Sequence, residues 1–170
     1  MLERGFTLVE LLVGLAVAAI LLTIAIPGYA FLLSSSRLAA VTNDLVTALQ
    51  LARSEAIKRN VHVTVCKSGG SGSSCAQTGD WRSGWLVFVD EGTRGVVDGG
   101  DLPLWTQPAL SAGVAVSTPT YSLYISYGPD GRSRASNNAL TGKFFVCAGD
   151  RQRTVIISQT GRVRLESSTC

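Results

Sequence analysis

Between Leu11 and Ile26 the chain holds one polar residue, Thr23, and no charge. Counted from Phe6, this apolar stretch runs 21 residues. At about 1.5 Å per residue, a helix of that length crosses the hydrocarbon of a bilayer. Beyond Pro27 the pattern narrows to one stripe. Leu38, Val41, Leu45, Leu49, Ala52 and Ala56 recur at three- and four-residue spacing, while Arg37, Asp44, Arg53, Glu55 and Lys58 occupy other positions. That period is one face of an amphipathic helix. Asn60 reads as its C-terminal stop, because the alternation Val61, Val63, Val65 that follows has the period of a strand. The pattern therefore predicts one bent helix from about Phe6 to Arg59, roughly 80 Å long. Its first half, 6–32, is apolar all round and suits lipid or a filament core. Its second half, 33–60, suits packing on a sheet.

After residue 60, short apolar runs alternate with Gly, Ser, Pro and Asp clusters. They predict strands near 61–66, 85–89, 113–117, 121–127, 143–148, 153–158 and 162–166. The Gly-rich stretches 67–80 and 90–101 read as exposed, mobile loops with few apolar anchors. No internal repeat is evident. The expected fold is α+β, a long helix packed on antiparallel sheet, with 61–170 as the β-rich globular part.

Glu10 lies inside the apolar segment. A carboxylate at the centre of a membrane helix costs about 2.5–3.5 kcal/mol on insertion scales. A secretory signal peptide would have a basic leader and a small-x-small exit site. Here Met1-Leu2-Glu3-Arg4-Gly5 carries no net side-chain charge, and Gly28-Tyr29-Ala30 is a mediocre exit. A plain anchor has no use for Glu10. A third reading supplies its partner: cleavage after Gly5 would leave the α-ammonium of Phe6 four residues away, within the chain or on a neighbouring subunit.

The run Arg4-Gly5-Phe6-Thr7-Leu8-Val9-Glu10-Leu11-Leu12-Val13 resembles the leader junction of type IV pilins and type II secretion pseudopilins. The resemblance implies a leader at 1–5, removed by a prepilin peptidase after Gly5, and N-methylation of Phe6. It also implies assembly from the inner membrane into a filament with other pilins and minor pilins. In that filament Glu10 would pair with a neighbour's N-terminus, and Pro27 would bend the helix. Gln50-Leu51-Ala52-Arg53-Ser54-Glu55-Ala56-Ile57, Val63-Thr64-Val65-Cys66 and Gly84-Trp85-Leu86-Val87-Phe88-Val89-Asp90 resemble the GspH/FimT/FimU branch. That branch implies a single-pass inner-membrane subunit with a periplasmic globular part, bound for the filament and its tip. Pilus and type II secretion assignments both stay open, as does a purely structural, pilus-initiating subunit that binds no DNA.

Composition adjusts this picture in three places. Charged residues make up 16% and hydrophobic ones 46%, with a mean hydropathy of +0.27, an apolarity that belongs largely to the N-terminal helix. The single histidine, His62, removes multi-His metal sites and reads as a strand-surface residue; no nucleophile–base set is visible, so no enzyme and no cofactor are expected. Ser34-Ser35-Ser36 reads as a solvated helix stretch. Cys66, Cys75, Cys147 and Cys170 lack CxxC spacing, which leaves disulfides ahead of zinc. Three connectivities are open, of which the local one pairs Cys66 with Cys75 and Cys147 with Cys170. Asp90, Glu91, Asp98 and Asp101 cluster around glycines without an EF-hand pattern, and read as solvated turn acids rather than a calcium site.

The formal net charge of +3 conceals two opposed blocks. From Asp80 to Asp130, Arg82 and Arg94 face Asp80, Asp90, Glu91, Asp98, Asp101 and Asp130, a balance of −4. From Gly131 to Cys170, Arg132, Arg134, Lys143, Arg151, Arg153, Arg162 and Arg164 face Asp150 and Glu166, a balance of +5. Arg151/Arg153 and Arg162/Arg164 are i, i+2 pairs, which share a face on a strand; Arg132/Arg134, after the Gly128-Pro129-Asp130-Gly131 turn, can do likewise. Paired guanidiniums suit phosphate oxygens, and the absence of interleaved aromatics points to backbone contacts without base stacking. Gly161-Arg162-Val163-Arg164 also resembles the GRxR motif of FimT minor pilins, which implies DNA as a partner for Arg162 and Arg164, with Arg132, Arg134, Arg151, Arg153 and Lys143 of the same charge block read as further contacts nearby. The competing reading pairs them with the acidic block or a neighbouring subunit.

Overall fold

The computed structural model describes residues 7–70 and 72–170. Gly5 and Phe6, the expected cleavage and methylation positions, lie outside the described residues.

A single helix, α1 (Leu8–Arg59), carries the first third of the chain. It starts on a capping box: the Thr7 hydroxyl accepts from the Glu10 backbone N–H at 3.3 Å, and the Glu10 carboxylate accepts from the Thr7 N–H and hydroxyl, each at 2.9 Å. It ends on Asn60, whose left-handed φ of 57° and N–H bond to the Ala56 carbonyl close the last turn. Leu8, Leu11, Leu12, Leu15, Ile20, Leu21, Leu22 and Leu32 are all exposed in the isolated subunit. Burial begins at Leu38, and Leu38, Val41, Leu45, Leu49, Ala52 and Ala56 form the stripe expected from their spacing.

Two antiparallel sheets pack against that stripe. The strands are β1 (Val63–Lys67), β2 (Trp85–Val89), β3 (Leu102–Gln107), β4 (Val114–Ser117), β5 (Tyr124–Tyr127), β6 (Ser133–Ala135), β7 (Gly142–Ala148), β8 (Arg151–Ile157) and β9 (Val163–Thr169). One sheet has the order β3-β2-β1-β5-β6, the other β4-β7-β8-β9. Their helix-facing residues, among them Val63, Val65, Trp85, Val87, Ile125, Tyr127, Phe144, Val146, Val155 and Ile157, join α1 in one core. Disulfides link Cys66 to Cys75 and Cys147 to Cys170, the local connectivity of the three.

Two strands depart from the sequence expectation. β3 holds Pro103 at a register shift opposite Val87/Phe88, and proline in a strand is tolerated at an edge or bulge, which is where β3 lies. β6 has three residues, too short to show a period. The stretches 67–80 and 90–101 are anchored as well: Cys75 and Val97 pack on Cys66, Leu86 and Phe88, on the sheet face turned away from α1.

Candidate nucleic-acid interface

The arginines divide between faces according to strand register. On β8, Arg151 pairs with Ala148 and Arg153 with Val146, so both point to the side of the sheet that carries the core. Arg151 donates to the Ser35 hydroxyl at 3.1 Å, and its guanidinium lies 5.3 Å from the centre of the Phe31 ring. It therefore ties β8 to α1 and gives Ser35 a role beyond a solvated turn of helix. This separates Arg151 and Arg153 from the other cations. Lys143 and Arg164, by contrast, both pair with Ile156, which sets them on the outer face. Arg162 is exposed one residue before β9. Among the described residues, none of the ion pairs involves Lys143, Arg162 or Arg164.

Gly161 places these arginines. The Gly161 N–H donates to the Ser158 carbonyl at 2.8 Å and the Ser158 N–H to the Arg162 carbonyl at 3.0 Å, closing the β8–β9 hairpin with Gly161 at φ 73°. The β5–β6 hairpin has the same construction. Gly131 N–H donates to Gly128 at 2.9 Å, Gly128 N–H to Arg132 at 3.0 Å, and Gly131 sits at φ 72°. Gly131-Arg132-Ser133-Arg134 and Gly161-Arg162-Val163-Arg164 are thus one local structure used twice, a repeat the sequence reading missed. In both, the residue between the arginines is turned toward the core and the arginines are exposed. The tips meet over α1. Arg53 Nε donates to the Gly131 carbonyl at 3.1 Å, and a Cβ on Gly161 would collide with that same oxygen.

Beside the β5–β6 hairpin lies a cavity of about 630 Å3, whose lining includes His62, Arg94, Tyr124, Ser126, Arg132 and Arg134. In the sequence Arg94 is only a minority charge within the acidic block. It is held there by Asp90, whose backbone carbonyl accepts from Arg94 Nη1 at 3.2 Å and whose carboxylate lies 3.9 Å away. Asp90 is not a solvated turn acid. It is 1% exposed, and its Oδ2 accepts from the Thr64 hydroxyl and, at 2.8 Å, from the Gly95 N–H. Burial pushes its pKa up, against the lowering effect of those two bonds. Asp98 and Asp101 accept backbone N–H groups of Thr93, Glu91 and Asp98. Their oxygens organise the loop, and among the described residues no cluster fit for a metal is present. The imidazole of His62 is held below its usual range, by partial desolvation and then by the Arg94 charge.

A capped apolar helix leading into a two-sheet head is the architecture of a pilin-type subunit. Residues 41–161 match the family described as Type II transport protein GspH, and residues 1–26 match the prokaryotic N-terminal methylation motif. The chain belongs to the GspH family and is a minor pilin or pseudopilin of a type IV pilus or type II secretion system. It is 30% identical to the pilin-like protein PilA1 of Thermus thermophilus, over 98% of this chain and all of that protein. Its fold is similar to the type IV minor pilin FimU of Pseudomonas aeruginosa (TM-score 0.59, 19% identity, 77% of this chain and 89% of that one). It is also similar to the minor pseudopilin EpsH of Vibrio cholerae (TM-score 0.51, 12% identity, 76% and 95%). The role is structural and non-enzymatic, with an N-terminal helix suited to membrane anchoring and with pilins and the prepilin peptidase as the partners the family implies.

Proposed function

We propose that this chain is a minor pilin of a type IV pilus that holds DNA for uptake through the phosphate contacts of Arg162 and Arg164. The observation that carries the reading is their unpaired exposure on a hairpin whose turn is fixed by Gly161. Ion-pair partners within the chain are the simplest competing use of these arginines, and none of the ion pairs among the described residues involves them. Lys143 shares their outer face, while Arg151 and Arg153 lie on the opposite, core-bearing side of the sheet, where Arg151 is engaged with Ser35 and Phe31. The pilus assignment draws support from the full-length similarity to a pilin-like protein. Position at the filament tip suits the proposal, because a terminal subunit lacks the neighbours beyond the end and leaves more of its head uncovered.

The test is a gel-shift titration of the full-length protein in non-ionic detergent with duplex DNA. Binding is expected to weaken roughly a hundredfold between about 50 and about 200 mM salt, as for a few neutralised phosphates. Arg162→Ala/Arg164→Ala should weaken it by about tenfold at low salt. No binding at low salt, or an unchanged affinity in the double variant, would overturn the reading.

The N-terminal half of the proposal has its own readout. Glu10 is satisfied by Thr7 within the subunit, yet in lipid its charge still calls for a cation, which the α-ammonium of a neighbour's Phe6 would supply after cleavage at Gly5. Mass spectrometry of the mature membrane protein should show loss of residues 1–5 and one added methyl group. Glu10→Val should be processed in the same way but be missing from sheared filaments. An intact Met1 would sink the processing argument, and normal incorporation of Glu10→Val would sink the assembly role.

A further inference from the structure

The sequence groups Arg132 and Arg134 with the DNA-binding cations, but the contacts proposed at Arg162 and Arg164 leave this second Gly-Arg-X-Arg unit without a defined ligand position. We infer that the cavity beside the β5–β6 hairpin is a second phosphate site, in which Arg94, Arg132 and Arg134 take a backbone phosphate of the DNA strand held at Arg162 and Arg164. The inference rests on the DNA reading above and extends it from one hairpin to two.

Three observations carry it. The first is identity of construction. Tyr127 pairs with Ser133 and Ile157 with Val163, the turn hydrogen bonds are the same, and the glycines at 131 and 161 share their left-handed φ. Whatever orientation the turn imposes on Arg162 and Arg164, it imposes on Arg132 and Arg134. The second is proximity. The two tips touch at the Gly131 carbonyl, which Arg53 holds at 3.1 Å while lying beside Gly161, so the two arginine pairs belong to one surface rather than to independent loops.

The third is the cavity itself. Its volume of about 630 Å3 is walled by Tyr124, Pro129 and Leu140 as well as by the cations, which gives room for a sugar-phosphate unit between polar and apolar surfaces. Ser126 adds a hydroxyl at the base. It is ordered by the Thr64 hydroxyl, which lies within reach of both Asp90 Oδ2 and, at 2.9 Å, Ser126 Oγ, so the base of the cavity is polar while the contacts to phosphate come from the arginines. Ser126 and Arg134 are register partners across β5 and β6, so they share the outer face.

Two carboxylates oppose the cations. Asp130 lies 3.6 Å from Arg132, with both side chains about as exposed as each other, and Asp90 sits under Arg94. An exposed pair of that kind contributes little and gives way to a doubly hydrogen-bonded phosphate. Arg134 faces Asn138 at 3.5 Å and has no carboxylate among the described ion pairs.

The only histidine of the chain lines this cavity, which makes the imidazole resonance a direct reporter of occupancy. Full-length protein in detergent, labelled at histidine, is titrated with a 5′-phosphorylated deoxydinucleotide and with the same dinucleoside stripped of its terminal phosphate. A saturable shift of the His62 signal is expected, stronger for the phosphorylated probe. It should vanish in Arg132→Gln/Arg134→Gln and persist in Arg162→Ala/Arg164→Ala. In gel shifts, Arg132→Gln/Arg134→Gln should weaken duplex binding by about tenfold and flatten the log–log salt slope by about two, at unchanged thermal stability.

An unmoved His62 signal overturns the inference. So does wild-type affinity and slope in Arg132→Gln/Arg134→Gln; loss of binding in Arg162→Ala/Arg164→Ala would then leave the DNA reading intact. A His62 shift in a protein that binds no duplex would keep the cavity as a phosphate site and remove the DNA reading alone.

Discussion

Gly161→Ala is expected to lower the stability of the globular part by about 3 kcal/mol, a fall of roughly 10 °C in melting temperature. Two costs combine. A Cβ at φ 73° is strained wherever it stands, and here it would also run into the Gly131 carbonyl oxygen, with the Tyr127 ring 3.0 Å and Arg53 Nε 3.1 Å away. The carbonyl is backbone and cannot swing aside, so the tips of both hairpins must separate. Gly70→Ala is the matched control: its φ is +88°, and nothing lies within 4 Å of the added carbon. That substitution should cost about 1 kcal/mol, the conformational part alone. Thermal unfolding of the two variants gives the packing part as their difference. Equal losses would mean that contact between the tips contributes nothing, and would detach the glycine of the GRxR motif from any role in joining the two sheets.

The second large effect is expected at Asp90. Asp90→Ala should destabilise by about 3 kcal/mol, because the Thr64 hydroxyl and the Gly95 N–H lose their buried acceptor together. Arg94 would lose the carboxylate that steadies it against the cavity. Asp90→Asn behaves differently. An amide oxygen in the place of Oδ2 keeps both bonds, and the NH2 group falls where Oδ1 now has no hydrogen-bond partner.

The charge itself is then isolated by pH. The folded pKa of Asp90 lies above its unfolded value near 3.8, so the folded state holds the proton more tightly than the unfolded one. The stabilisation is complete below the unfolded pKa and is lost as pH rises through the folded one. Relative to wild type, Asp90→Asn should therefore gain stability as pH climbs from about 4 and level off above the folded pKa. A difference curve that is flat, or that slopes the other way, would contradict the burial argument.

The helix was legible because two signals agreed along its whole length. The apolar run 11–26 and the stripe from Leu38 to Ala56 both have helical meaning, and Asn60 ends the pattern where the left-handed cap forms. β1, β2 and β7 were legible for a similar reason, as β-branched and aromatic runs bounded by turns. β3 and β6 were not, since a proline at a bulge and a three-residue strand carry no period of their own.

Among the candidate site residues, the hairpin arginines were visible as a charge block, and Arg132/Arg134 as a pair after a turn. The repetition of Gly-Arg-X-Arg at 131–134 and 161–164 was also in the sequence, and a comparison of the chain with itself at that spacing would have found it. Arg94 gave no such sign, because its local neighbours are acids.

The sequence by itself determined the membrane-suited helix, the family and the amount of positive charge in the last forty residues. These depend on local order: hydropathy over one segment, a motif at a junction, a count. The tertiary structure decided which charges act together. Strand register turned Arg151 and Arg153 toward α1 and Arg164 with Lys143 away from it, a choice that a one-residue slip would reverse. The meeting of two sheets over Arg53 brought the hairpins at 131 and 161 side by side, and the burial of Asp90 carried Arg94 from the acidic block to the cationic cavity. Those relations join residues far apart in the chain through the packing of a shared core, and no local pattern encodes them.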